Sequence, residues 1–453
     1  MSDHLQRTLG LRSLVLFGLA YMTPMIVLGI FGVVAETTAG ASASAYLVAL
    51  VAMLFTAASY GRMAVAYPMS GSAYTYVSRT IDPRAGFLVG WAILLDYLFL
   101  PMVIWLIGGA YLDAQYPDVP FWVWIVGFIA LTSALNVLGI KTADRANFAL
   151  MAMQILVLVL FVALSIGSVV GDHGAGGLIS STPFVGVGAT FSEITAGAAI
   201  AGYCFLGFDA VSTLSEETIE PKRTVPRAIL LVALLGGLIF VAVSYTTQLV
   251  HPGGTFADSS SAAHDIALTV GGNLFGAIFL AGLVIAQFAS GLAAQASASR
   301  LIYAMARDRV LPAWLFGRLH AIYRTPVAAI AAVGAVGVLA IFLDVATSTS
   351  FINFGAFTAF TMVNVSAIVH LLRHRDERDG TVAARSWSAL AVPVVGAAVT
   401  LYLLAQLDSH AIVLGLSWLA VGLLVLTGLT RGFRQPPPSM DFSEEAGEPA
   451  LGL

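Results

Sequence analysis

All 21 Lys and Arg residues of this chain stand at a terminus or in alternate gaps between long apolar runs, and no other feature constrains the fold as tightly. A helix needs about 20 mainly apolar residues to cross the hydrocarbon core of a bilayer. Twelve segments qualify, at 11–35, 43–67, 84–111, 119–138, 147–171, 191–215, 226–250, 271–300, 326–343, 349–371, 389–406 and 411–429. Arg7 and Arg12 flank the start of the first. Arg62, Arg79 and Arg84 lie around the gap after the second, Lys141 and Arg145 after the fourth, and Lys222, Arg223 and Arg227 after the sixth. Arg300, Arg307, Arg309, Arg318 and Arg324 follow the eighth, Arg373, Arg375, Arg378 and Arg385 the tenth, and Arg431 and Arg434 the twelfth. The intervening gaps hold none. Basic residues collect on the cytoplasmic side of membrane proteins, so the pattern predicts an all-α, multi-pass protein with 12 transmembrane helices and both termini cytoplasmic. Adding or losing one segment would scramble it.

Composition agrees. Only 10% of the 453 residues are charged and 58% are hydrophobic, where a soluble domain carries about 25% charged. The lipid bilayer is therefore the first expected partner, and no nucleic acid is expected. The single Cys204 excludes an internal disulfide and a thiolate metal cluster. The start, "MSDHLQRTLGLRSLVLFGLAYMTPM", puts basic residues before an apolar run without a small-residue cleavage site, so it predicts a retained first segment rather than a signal peptide. From Gln435 the chain is Pro-rich and acidic, which predicts a disordered tail. No gap is long enough for a soluble catalytic domain. The longest basic gap contains "RLIYAMARDRVLPAWLFGRLH", which predicts a short interfacial helix.

Carboxylates inside the apolar runs mark where chemistry is placed. Asp96 lies in "GWAILLDYLFLPM", Asp209 in "GYCFLGFDAVSTLSEET", and Glu216–Glu217 where that sixth segment ends. A charge at the bilayer centre costs on the order of 3 kcal/mol on insertion scales. Such a residue is either a structural carboxylate bonded to a neighbouring helix or a group facing a cavity, a partner or an ion path. Asp209 and Asp96 are the candidates for substrate charge compensation and for proton coupling.

The first and sixth segments are also interrupted. The first reads "GLAYMTPMIVLGIFG", where Pro24 removes a donor and Gly18, Gly29 and Gly32 weaken the turns around it. The sixth carries Gly202 and Gly207 just before Asp209. Freed backbone groups survive at membrane depth only where they are buried in protein or line a wet cavity. Matched interruptions five segments apart point to a transporter's midplane site.

These stretches carry a resemblance. "GLAYMTPM" (18–25), "FTAASYGRM" (55–63), "GSAYTYV" (71–77), "VGWAILLDYLFLPM" (89–102), "FLGFDAVSTLSEET" (205–218), "ASGLAAQASASRLIYAMARD" (289–308) and "INFGAFTAFTMVN" (352–364) resemble the amino acid–polyamine–organocation superfamily, most closely its bacterial putrescine-importer group. The resemblance implies the LeuT-type fold, in which two inverted five-helix repeats, 11–171 and 191–371, are followed by accessory helices at 389–429. Residues 1–10 and 430–453 would be cytoplasmic ends, and the protein would sit in a bacterial plasma (inner) membrane. It implies alternating access around a site made by segments 1, 3, 6, 8 and 10, unwound at Thr23 to Gly29 and at Tyr203 to Asp209. The site residues it implies are Thr23, Met25, Gly29, Asp96, Tyr97, Tyr203, Cys204, Phe205, Gly207 and Asp209. The implied substrate is a small amine or amino acid, the coupling ion H+ or Na+, and no cofactor is needed.

Two departures bear on the substrate. Only Gly29, in "VLG", remains of the glycine-rich amides that hold a carboxylate in amino-acid transporters, which favours an amine. The acidic residue that putrescine importers carry near Gly29 is also missing, so a monoamine or amino acid stays open beside a diamine. Tyr21, Tyr97, Tyr203 and Phe205 are candidate gates. Ser290, Ser297 and Ser299 of segment 8 fit either sodium coordination or helix packing, and segment 5 lacks a Lys that could replace sodium. His370 and His374, flanked by Arg373 and Arg375, fit an interfacial position better than a metal face. An enzyme or a sensor is the rival class, but the chain offers no spaced His/Glu set, no G-x-S-x-G and no soluble output domain. Importer and exchanger both fit.

Overall fold

A computed structural model describes residues 7–68, 73–139, 144–307, 311–373 and 383–437. Lys141, Arg309, His374, Arg375, Arg378 and the tail beyond 437 lie outside the described residues, as do the side chains of Arg145, Glu216, Arg307 and Arg385. The chain is helical almost throughout. In order the helices are α1 (Leu11–Met22), α2 (Ile26–Gly29), α3 (Phe31–Thr37), α4 (Ser42–Ala66), α5 (Ala73–Thr80), α6 (Pro83–Gln115), α7 (Phe121–Val137), α8 (Asp144–His173), α9 (Thr182–Val185) and α10 (Phe191–Ala201). Two 3-10 turns, Gly202–Phe205 and Asp209–Glu217, lead to α11 (Pro221–Val250), α12 (Ala262–Arg307), α13 (Ala313–Phe316), α14 (Val327–Gly337), α15 (Val345–Arg373), α16 (Ala383–Ala405) and α17 (Ser409–Leu429).

Nine helical stretches among the described residues are long and apolar enough to cross a membrane. Three shorter apolar helices, Phe121–Val137, Val327–Ile341 and Ala389–Ala405, fall on the fourth, ninth and eleventh expected segments. The protein is thus a multi-pass membrane protein with lipid-facing apolar surface, as at Leu274, Phe342 and Leu424, each more than 70% exposed.

Local chemistry sets several helix starts. Asp82 accepts from the Arg84 amide at 2.7 Å ahead of Pro83, and Asp408 accepts from the His410 and Ala411 amides. Thr190 and Glu193 form a reciprocal capping box on α10, satisfying amides that have no partner inside the helix. The expected eighth segment begins at Gly272, where a positive φ of 65° kinks α12. The expected interfacial helix is a single turn, α13, with Trp314 exposed.

The helices pack as neighbours of matching rank. α4 lies along α11, α6 along α12, and α1 along α11 and the second 3-10 turn. α6 and α17 are joined by a reciprocal indole pair: Trp91 Nε1 donates to the Trp418 carbonyl at 2.9 Å, and Trp418 Nε1 returns a bond to the Trp91 carbonyl at 2.8 Å. The chain's start is tied to the end of the sixth segment by main-chain bonds. Thr8 and Leu9 amides donate to the Glu217 carbonyl, and the Ile219 amide donates to the Leu9 carbonyl at 2.9 Å.

Candidate functional site

The first expected interruption is a double one. α1 stops at Met22, Thr23 takes a left-handed conformation with φ of 47°, and Pro24 follows with no amide to donate. One helical turn, α2, then forms inside the stretch expected to be unwound, before Ile30 departs from helix again. The Thr23, Ile26, Leu28 and Ile30 amides all donate to nearby carbonyls, so they are already engaged. Side chains from other helices take carbonyls of the short turn. Tyr111 of α6 donates to Leu28 O at 2.6 Å, and Tyr46 of α4 lies 3.5 Å from Val27 O.

The second interruption is sharper. α10 tightens into the 3-10 turn Gly202–Phe205, Leu206 is extended, and Gly207 has φ of 107°. Only glycine adopts that φ without strain. It also allows close approach, since a Cβ on Gly207 would fall inside the ring of Tyr21. The two interruptions therefore touch. Beyond Gly207 the chain does not return to α-helix but runs as 3-10 from Asp209 to Glu217. The Tyr203, Phe205 and Gly207 carbonyls accept only long main-chain bonds of 3.1 to 3.4 Å, which leaves them acceptor capacity. Ahead of the break, Asn353 of α15 donates to the Ala199 carbonyl at 2.8 Å and to that of Ile200 at 3.2 Å.

Asp209 opens the second 3-10 turn, with its carboxylate 3.4 Å from the Tyr60 hydroxyl of α4, which donates to it. Asp96, half-buried in α6, has a buried Oδ1 without a hydrogen-bond partner among the described residues, and its charge is within range of Asp209. Tyr203 is buried within range of Asp96, and Tyr97 is within range of Tyr60. Cys204 is buried, with its thiol 3.8 Å from the Tyr46 hydroxyl. Phe205 turns to α11, where it packs edge-on against Phe240 at 5.2 Å. Of the other aromatic candidates, Tyr21 is 40% exposed and covers Gly207. Thr23, Met25 and Gly29 line a small cavity with Ile26 and, from α12, Leu283, Ala286 and Gln287. Thr23, Met25 and Gly29 thus share the cavity of the first break, Tyr203, Cys204, Gly207 and Asp209 lie along the second, Asp96 and Tyr97 stand on α6, and Phe205 turns into the α11 interface.

Sequence reasoning passed over four groups. Tyr60, Tyr76, Phe208 and Phe360 form an aromatic cluster with centroid separations of 5.2 to 6.0 Å on the side of the breaks that Arg62 occupies. Asn353 lies inside a stretch that the resemblance already singled out. Gln287 was signalled as a lone amide in the apolar run "AGLVIAQFASG". Tyr46 and Tyr111 carried no signal that separates them from packing tyrosines.

Chemically, two carboxylates, several acceptor carbonyls and a cap of aromatic rings suit a small cation stripped of water. Comparison with known proteins points the same way. Residues 13–416 match the amino acid permease family. The chain is 40% identical to the low-affinity putrescine importer PlaP of Escherichia coli (strain K12) over 438 residues, covering 96% of each chain. It is 28% identical to the branched-chain amino acid permease BcaP of Bacillus subtilis (strain 168), over 93% of this chain and 92% of that one. It is 27% identical to the methylthioribose transporter of the same organism, over 94% and 93%.

Proposed function

The chain belongs to the amino acid permease family, and on that premise we propose that it imports a small amine, a putrescine-like polyamine or a related monoamine, across the bacterial inner membrane by alternating access. It is a transporter rather than an enzyme. The observation that carries the amine reading is the meeting of two broken helices beside Asp96 and Asp209. A primary ammonium leaving water needs a carboxylate and several acceptors, and both lie here.

An amino acid would need free amides for its α-carboxylate. In the first interruption four amides are engaged and Pro24 has none, which disfavours that alternative. The reading includes twelve spans in a 5+5 inverted repeat with two accessory helices, both termini cytoplasmic. The packing of the second span on the seventh and of the third on the eighth supports the repeat. Opening toward the cytoplasm would part Tyr60 from Asp209 and spread the aromatic cluster. Proton coupling through Asp209 and Asp96 completes the cycle.

Uptake of labelled putrescine into reconstituted vesicles, challenged with diamines, monoamines and α-amino acids, tests the substrate class. An imposed pH gradient with and without sodium tests the coupling. Competition by amines and abolition by Asp209→Asn, with protein still in the membrane, are expected. Competition by α-amino acids alone, or normal uptake by Asp209→Asn, would overturn the reading.

A further inference from the structure

The cavity at the first interruption has one wall that the proposed amine chemistry does not use. Gln287 of α12 faces Thr23, Met25, Ile26 and Gly29 across it. The side chain is 3% exposed, and its Nε2 is buried without a hydrogen-bond partner among the described residues. Nε2 lies 4.0 Å from where a Cβ on Gly29 would stand, behind Ile107 and Ile26 at 3.3 and 3.4 Å, so the amide borders the first interruption. A buried amide with an unpaired end is costly, and its partner is normally a protein group, an ordered water or a ligand. Nε2 is a donor and needs an acceptor, and the neighbouring Ile26, Leu283 and Ala286 side chains that line the cavity with it are apolar. The cavity is small, of the order of one water molecule, so a larger partner enters as the break widens.

We propose that Gln287 is a specificity-determining residue that takes the second polar end of the substrate as a neutral hydrogen-bonding group. This rests on the amine reading above and narrows it. The ammonium of the substrate stays with Asp96 and Asp209, near Gly207 and Tyr21. The far end of the molecule lies toward Gly29, where an amide stands and no carboxylate does. An amide offers a donor and an acceptor but no charge. A hydroxyl or carbonyl is fully matched by it, whereas a second ammonium is solvated without compensation. The substrate class that fits is a primary monoamine bearing a hydroxyl or carbonyl at its far end, ahead of a diamine of the same length.

Three ligands of equal length separate the possibilities: 4-aminobutanol, putrescine and pentylamine, measured by direct binding to the purified full chain. In the wild type, 4-aminobutanol is expected to bind about tenfold tighter than pentylamine, which has no second polar end. Gln287→Leu should erase that ratio, chiefly by weakening 4-aminobutanol about tenfold, in protein whose thermal midpoint shows it folded. Gln287→Glu should turn the preference toward putrescine by tenfold or more. A ratio unchanged in Gln287→Leu, or an equal loss for all three ligands, would make Gln287 structural and overturn the inference alone. Failure of the wild type to bind any of the three would remove the amine reading and the inference with it.

Discussion

Replacing Tyr60 by Phe removes one oxygen and keeps a ring. That ring meets Tyr76, Phe208 and Phe360 edge-on, with centroids 5.8 to 6.0 Å away, and those contacts survive the change. What is lost is the bond from the hydroxyl to Asp209, at 3.4 Å. Hydrogen bonds to charged groups contribute about 1.5–3 kcal/mol, and at this stretched length the lower figure applies. If the bond latches the closed arrangement, its loss raises the open fraction about tenfold, since each 1.4 kcal/mol is a factor of ten. The chain supplies its own reporter, because Cys204 is its single cysteine and is 1% exposed beside the break. A maleimide reaches that thiol only when the site opens, so with fast opening and closing the labelling rate follows the open fraction. Tyr60→Phe should therefore label about tenfold faster than wild type with only a small fall in the thermal midpoint, and bound substrate should slow both. In the background of Asp209→Ala, Tyr60→Phe should add little, because the bond it removes is already gone. Equal labelling rates in wild type and Tyr60→Phe would refute the latch.

Three further outcomes are expected. Gly207→Ala should destabilise the protein by about 1–3 kcal/mol through its positive φ and should lose uptake. Adding Tyr21→Ala to it should recover the part due to the ring contact and no more, as read by thermal unfolding in detergent. Asn353→Leu removes the side-chain donor to the Ala199 and Ile200 carbonyls, the second of which keeps the Gly202 amide, so at about 1–3 kcal/mol for a lost buried bond it should lower the unfolding midpoint and cut initial uptake more than tenfold. Trp91→Phe gives up one indole bond to α17, about 1 kcal/mol, and should lower thermal stability while leaving the affinity for putrescine within twofold of wild type by direct binding.

The helices were legible because each announces itself locally, through about 20 apolar residues between basic or turn-forming gaps. The breaks were legible in part. Pro24 and Gly207 mark real interruptions, yet Pro101, Pro226 and Pro393 lie inside continuous helices. A proline alone does not separate the two cases. What distinguishes them is whether side chains from other helices take over the freed carbonyls, as Tyr111, Tyr46 and Asn353 do. Those partners are remote: Asn353 stands 154 residues from Ala199, Tyr111 stands 83 from Leu28, and Tyr60 stands 149 from Asp209. No local pattern carries pairings of that kind. Phe205 shows the same limit in reverse, since only the packing of α11 reveals which way its ring turns. The carboxylates were legible because their cost in lipid is independent of packing. Gln287 has a similar cost in kind, and a census of amides as well as charges would have found it.

The tether between Leu9 and the Glu217–Ile219 stretch is made of backbone atoms alone. Side chains at Thr8, Leu9 and Ile219 take no part in those bonds, and a change there that loosens them is proline, which lacks the amide that the knot uses. Trimming ahead of Thr8 leaves the knot whole, whereas cutting past Leu9 unties it and frees the outer ends of both interrupted rods together. Residues 8 and 9 thus hold the ends of the two interrupted rods to one another, so a swing of either is passed to the other.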